Sequence, residues 1–249
     1  MDRNSWHEGF TNCFEMVDIN KHRFHLVQIL KDIYKDIGLS NFLGFKGGSA
    51  AMFFHDLPRF SVDLDFNLLN PGEEENVYPK VREILLKYGT IYDEARKHFG
   101  PLLVLDYGKS ERKLKVEISR RDFEDRYEIR DLLGIGIRVM TKDHMFSHKL
   151  CALMDRPVTV NRDIFDCWHF AREHTAIDSR IIELRMQMPL NDYLEHCISY
   201  LESRSDKGIL DGLGELLEND MKPFVKNDLR SELISLLKFY REYPINMES

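Results

Sequence analysis

Apolar residues recur at helical spacing from about Asn12 to Ile37, through Phe14, Val17, Phe24, Val27, Leu30, Ile33 and Tyr34. This predicts an amphipathic helix, broken near Asn20 and stopped at Gly38. The run Phe42-Leu43-Gly44-Phe45, the turn Lys46-Gly47-Gly48-Ser49 and the stretch Ala50 to His55 then read as strand, glycine turn, helix. After Pro58 the period changes to two. Val62, Leu64 and Phe66 fall on one side of a strand from Phe60 to Leu68, with Ser61, Asp63 and Asp65 on the other. Asn70-Pro71-Gly72 turns the chain into a helix from about Glu74 to Tyr88, carrying Val77, Val81, Ile84 and Leu85. Leu102 to Tyr107 and Lys113 to Ser119 flank Gly108-Lys109-Ser110 as a β-hairpin. In its second strand Leu114, Val116 and Ile118 face one way and Lys113, Lys115, Glu117 and Ser119 the other. Ile135 to Met140 reads as a last strand. Helical spacing follows near 143–155, 162–174, 178–187, 191–203, 207–218 and 227–241.

The pattern predicts an α/β (α+β) fold, a mixed sheet flanked by helices to about residue 140, with a helical C-terminal region after it. No internal repeat occurs and no Pro/Gly/Ser-rich linker marks the join, so residues 141–249 are expected to pack against residues 1–140 as one body. Composition agrees with a soluble globular chain: of 249 residues, 43 % are hydrophobic and 31 % charged. The first ten residues lack the basic region and long apolar run of a signal peptide, and no segment reaches a membrane-spanning length. A cytoplasmic location is therefore expected. Cys13, Cys151, Cys167 and Cys197 are scattered, which disfavours a zinc site or disulfide framework and suggests apolar filler.

A net charge of −7 argues against indiscriminate coating of nucleic acid. One basic patch stands out, with Lys109, Arg112, Lys113, Lys115, Arg120 and Arg121 close together. It reads either as a solvated edge strand protected by lysines or as a path for phosphates. His144 and His148 lie one helical turn apart without a third ligand and read as a surface pair, as do His169 and His174.

Asp63 and Asp65 change the picture. Two like charges on one strand face, opposite an apolar face, are unfavourable unless neutralised, and a hard divalent cation with oxygen ligands is the usual answer. Upstream, Gly47-Gly48-Ser49 opens a helix, where free N–H groups and the helix dipole suit an anion. Glycine permits close approach of phosphate, and Ser49 adds a hydroxyl. Thirteen residues separate this cradle from the aspartates.

Gly48-Ser49, the spacer and Asp63-Leu64-Asp65-Phe66 resemble the signature of the DNA polymerase β-like nucleotidyltransferase superfamily, and Val116-Glu117-Ile118 resembles the strand that bears its third carboxylate. Phe45 to Ala51, Arg59 to Phe66, Lys149-Leu150 with Ala152-Leu153, Arg156, and Arg162-Asp163-Ile164-Phe165-Asp166 are similar to motifs of the AbiEii/AbiGii toxin family. The resemblance implies a nucleotidyltransferase catalytic domain over 1–140, with site residues also contributed from 141–249. It implies Mg2+ in a two-metal site, with Mn2+ as a substitute, held by Asp63, Asp65 and Glu117. It further implies that Lys46, Gly47, Gly48, Ser49, Arg59, Ser61 and Asp163 serve the nucleotide, and Lys149 and Asp166 the chemistry. Implied partners are a nucleoside triphosphate, an acceptor RNA such as tRNA or a protein, and a cognate antitoxin. Rival readings are a small-molecule acceptor, as in antibiotic-modifying nucleotidyltransferases, and an inactive nucleotide-binding module. Retention of both aspartates, the Gly-Ser turn and a third carboxylate opposes the last.

Overall fold

The computed structural model of the protein describes residues 18–109, 111–155 and 160–245. Cys13, Phe14, Val17, Ser110 and Arg156 lie outside the described residues. The chain runs α1 (Ile19–Lys35), α2 (Ile37–Phe42), β1 (Leu43–Lys46), α3 (Gly47–Phe54), β2 (Asp63–Leu68) and α4 (Glu74–Leu86). It continues with β3 (Thr90–Lys97), β4 (Gly100–Asp106), β5 (Leu114–Ser119), β6 (Tyr127–Leu132) and β7 (Ile135–Met140). The helices α5 (Lys142–Asp155), α6 (Asn161–Arg172), α7 (Ser179–Met186), α8 (Leu190–Ser203), α9 (Met221–Asn227) and α10 (Leu229–Glu242) complete it.

A seven-stranded mixed sheet has the order β3-β4-β5-β2-β1-β7-β6. β4 and β5 form the expected antiparallel hairpin, β1 pairs antiparallel with β2, and β2 pairs parallel with β5. Registers decide the chemistry. Phe45 pairs with Phe66 and Lys46 with Asp65, while Asp65 aligns with Glu117. Because neighbouring strand residues share a face, Phe45, Phe66, Leu64, Val116 and Ile118 form one buried layer under α1 and α4. Lys46, Asp63, Asp65 and Glu117 lie on the opposite face. Fully burying each such Leu, Val, Ile or Phe contributes about 1.5–3 kcal/mol.

The strand carrying the aspartates is braced from below. His22 on α1 is buried, and its Nε2 donates to the Val62 carbonyl at 2.8 Å. Its Nδ1 therefore accepts from the Tyr107 hydroxyl at 2.6 Å.

Several elements differ from expectation. Asp36, not Gly38, ends α1, and its carboxylate then accepts from Leu39 N at 3.0 Å to start α2. Both sheet edges, β3 and β6, escape the periodicity because an edge strand with mostly exposed residues has no apolar face to reveal. The expected helix at 207–218 is instead a series of turns with a short 3-10 segment, broken where Gly208 and Gly212 take positive φ. α9 was not expected. The remaining late helices match their spacing, and β5 is an interior strand, so the edge-strand reading of its lysines is overturned.

The late helices pack around Phe146, Trp168, Phe170, Tyr193 and Tyr240, all buried. Cys151, Cys167 and Cys197 are buried free thiols among them, the filler role expected. Among the described residues no helix is long and apolar enough to cross a membrane.

Candidate active site

A cavity of about 630 Å³ opens over the polar face of the sheet, between the β1–α3 turn, β2, β5 and α5. Of the residues expected there, Lys46, Gly47, Gly48, Arg59, Ser61, Asp63, Asp65, Glu117, Lys149 and Asp163 line it.

Gly47 enters α3 with φ +79°, a conformation suited to glycine, and a methyl group there would collide with the Asp65 carboxylate. At Gly48 a methyl would stand 2.7 Å from Ser61 Oγ and 2.9 Å from Arg59 Nη2. Gly47 is therefore required by conformation and space, whereas at Gly48 a side chain would require Ser61 and Arg59 to give way. No side chain caps α3, so its first N–H groups remain available for an anion at the cavity wall. Ser49 differs from expectation. It is fully buried and its hydroxyl donates to the Asp63 carbonyl, tying α3 to β2 instead of facing the cavity.

The carboxylates are electrostatically loaded. Burial, then the charges of Asp63 and Glu117, push Asp65 up to about 6 against the pull of Lys46 and Lys149. Burial lowers the Lys46 pKa, and Asp65 opposes that shift. Lys115 Nζ stands 3.6 Å from Asp63 Oδ2. This oxygen-only donor set, whose repulsion the neighbouring lysines offset only in part, fits a hard divalent cation. Asp63, Asp65 and Glu117 are not drawn as tightly as the trio Asp143, His144 and Asp178, whose ligand atoms lie within 4.8 Å of one another. Arg126 already meets the charge of that trio, hydrogen-bonding Asp143 and standing 3.6 Å from Asp178.

Behind the cavity lies a buried ionic network. Arg59 donates from Nε to Asp166 Oδ1 at 2.6 Å and from Nη2 to Oδ2 at 2.7 Å. Lys149 Nζ lies 2.7 Å from Asp166 and 3.1 Å from Asp163. Burial alone would raise the Asp166 carboxyl, but Arg59 and Lys149 override it and hold it well below the usual carboxylate range. Asp166 is fully buried and does not line the cavity, so its position is that of a brace for two cations. Lys149 is thus held at the cavity by two carboxylates.

The basic patch divides. Lys115 and Arg121 reach the cavity, with Arg121 stacked 4.7 Å from the centre of the Phe99 ring. Lys113 does not, because it pairs with Asp106. Arg112 and Arg120 pair with Glu215 at 2.8 Å and Glu74 at 3.2 Å.

Sequence reasoning missed His148, Asp155 and Arg185 in the cavity lining, and gave Arg162 no role. The surface reading of the histidines is also corrected. His144 and His169 are buried, and His148 hydrogen-bonds Asp125, whereas His174 is exposed. The signal available for His148 was its place one residue before Lys149 on the same helix. Arg185 comes from a distant helix with no local signal.

The family model described as nucleotidyl transferase AbiEii toxin, type IV TA system, matches residues 28–242. Among solved structures, a Helicobacter pylori protein described as a candidate nucleotidyltransferase superimposes with TM-score 0.61 at 22 % identity, covering 90 % of this chain and 95 % of that one. JHP933 from Helicobacter pylori gives TM-score 0.56 at 21 % identity, covering 90 % and 92 %. MenT4, a nucleotidyltransferase toxin from Mycobacterium tuberculosis H37Rv, gives 0.59 at 18 % identity, covering 90 % and 85 %. At these identities the likeness is one of fold. Among curated protein sequences none matches the chain significantly. The family match spans most of the chain, including the elements that build the cavity just described: the chain belongs to the AbiEii family of nucleotidyl transferase toxins, and is a nucleotidyltransferase.

Proposed function

We propose that the protein moves a nucleoside monophosphate from a nucleoside triphosphate to a hydroxyl of an acceptor, a tRNA 3′ end or a protein side chain, as the toxin of a toxin–antitoxin or phage-defence pair. The observation that carries this reading is the register that sets Asp65 beside Glu117 across β2 and β5, facing a cavity whose other wall is the glycine-opened turn of α3.

Asp63, Asp65 and Glu117 are the residues to hold Mg2+, or Mn2+ in its place. A divalent cation held by these carboxylates would supply neutralisation of the triphosphate charge and acidification of the attacking hydroxyl. The N–H groups at Gly47 and Gly48 and the Ser61 hydroxyl bind triphosphate oxygens. Lys46 and Lys149 offset the negative charge that grows as the bond from the α-phosphorus to pyrophosphate breaks and the acceptor oxygen bonds to phosphorus. Glu117 orients the acceptor hydroxyl or takes its proton. Arg59, fixed by Asp166, keeps the β2 approach in place. Lys115 and Arg121 flank the path of an acceptor's phosphates. Residues from 141 onward act as a helical region that lends Lys149 and Asp163 to the site. The expected location is the cytoplasm, and a cognate antitoxin is the expected protein partner.

Incubating the protein with Mg2+ and each α-³²P-labelled triphosphate, with total tRNA, lysate protein or neither, tests the reading. Label should pass to RNA or protein and be lost in Asp65→Ala. Label on neither, with transfer to a small hydroxylated compound instead, would move the acceptor to the small-molecule class.

A further inference from the structure

One wall of the cavity, at His148 and Arg185, is backed by a chain of polar side chains that lie outside the motifs quoted above. Asn67 lies two residues beyond Asp65 on β2, and its Nδ2 donates to Asp125 Oδ2 at 2.8 Å. The Asp125 side chain is only 3 % exposed, and its Oδ1 lies 2.6 Å from His148 Nε2. An ionised carboxylate can only accept, so Nε2 carries the ring hydrogen and Nδ1 presents a lone pair. That lone pair meets Arg185 Nη1 at 2.8 Å. Arg185 also reaches the His148 carbonyl at 3.4 Å and Asp155 Oδ2 at 2.8 Å, and stacks 5.3 Å from the centre of the Phe123 ring. His148, Asp155 and Arg185 all line the cavity.

Two features separate this arrangement from packing alone. A guanidinium has five N–H donors in a fixed fork. The contacts to His148 Nδ1, the His148 carbonyl and Asp155 engage three of them, and Nε–H remains together with one Nη2–H, the side that grips a phosphate bidentately. Second, the buried carboxylate of Asp125 faces His148, with His144 Nδ1 3.5 Å away and Asn67 on its other oxygen, and does not meet Arg185, so at His148 Arg185 is held by a neutral acceptor. Its one carboxylate partner among the described residues, Asp155, is 51 % exposed and screened by solvent. Arg59, by contrast, has its charge cancelled directly by buried Asp166. The relay fixes Arg185 while leaving it positive.

We propose that His148 is a positioning residue which, locked by Asp125 with hydrogen on Nε2, aims the Arg185 guanidinium into the cavity to bind a phosphate group of the nucleotide. The inference rests on the nucleotidyl-transfer reading above. It makes Arg185 the binding group and Asn67, Asp125 and His148 its support, linking the metal-site strand to a helix far along the chain.

Titration calorimetry with ATP, GTP, CTP and UTP as magnesium complexes, on the full-length protein, tests it. At least one nucleotide should bind, and Arg185→Gln should weaken it tenfold or more, with Arg185→Lys weaker than wild type because the fork is lost. His148→Leu should weaken binding about fivefold. His148→Gln, whose amide supplies an N–H to Asp125 and a carbonyl to Arg185, should return to within about threefold. The double variant His148→Leu/Arg185→Gln should bind no worse than Arg185→Gln alone, since a residue acting only through Arg185 has nothing further to lose. Arg185→Gln within twofold of wild type overturns the proposal and leaves the nucleotidyl-transfer reading standing. So does an undiminished His148→Leu effect in the Arg185→Gln background, the mark of a merely structural histidine. If wild-type protein binds none of the four, that reading fails and the proposal with it. Should His148→Leu not fold, by circular dichroism, Arg185→Gln and His148→Gln carry the decision.

Discussion

Asp65 sits in an electrostatic conflict that its own protonation can relieve. Its carboxyl titrates near 3.8 when unperturbed and is pushed up to about 6 in the fold, by burial first and by Asp63 and Glu117 next. A group raised in this way supports the fold fully below the lower value and loses that support as pH climbs through the upper one. In metal-free protein the loss is on the order of 3 kcal/mol at neutral pH. Asp65→Asn should therefore be more stable than wild type in denaturant titrations at pH 8, with a smaller gain at pH 5. Mg2+ should narrow the gain, while transfer activity falls by roughly two to three orders of magnitude or more. Asp166 behaves in the opposite sense. Asp166→Ala leaves buried Arg59 without its paired carboxylate and Lys149 with Asp163 alone, and a loss of about 3–5 kcal/mol is expected in the same titrations. Both aspartates belong to short sequence motifs, yet one faces the cavity and the other never sees it. That difference depends on which cations the tertiary fold brings to each carboxylate, and no spacing rule contains it.

At the scale of elements, the turn from β1 into α3 couples backbone shape to the carboxylate face. Gly47→Ala meets two obstacles, a positive φ and a collision with Asp65. Gly134, with φ +83°, has open space around its missing side chain, so Gly134→Ala meets only the first. Each should cost about 1 kcal/mol in backbone strain. Only Gly47→Ala should also lose transfer activity, and the pair of assays separates strain from collision. The central strands were legible because one buried face imposes period two, which is how Asp63, Asp65 and Glu117 could be placed on a common side before any coordinates. β3 and β6 were not, since hydrogen bonding along the backbone leaves no mark on side-chain polarity. Ser49 was misjudged for a related reason. A serine after two glycines suits a phosphate equally well on paper, and only the approach of β2 turns its hydroxyl towards the Asp63 carbonyl. His148 and Arg185 stayed hidden because their contact joins α5 to α7 across a long stretch of chain.

For the whole molecule, the site draws on β1, β2, β5, α3, α5, α6 and α7, so ligand binding and global stability are linked. Saturating Mg2+ and the preferred nucleotide at a hundred times the dissociation constant should raise unfolding free energy by about 2.7 kcal/mol. Hydrogen exchange should show protection rising together in β2, β5, α5 and α6, and a rise confined to the sheet would argue that the helices do not share the site. The layout also has a temporal side. A ribosome delivers Asp63 and Asp65 early, but Glu117 arrives only after the excursion through α4, β3 and β4, and Lys149 and Asp166 later still. A growing polypeptide that ends before β5 owns two of three carboxylates and neither the lysine nor the aspartate that braces it. On the proposed site such a chain should be inert, and transferase activity is expected only once most of the polypeptide has been synthesised.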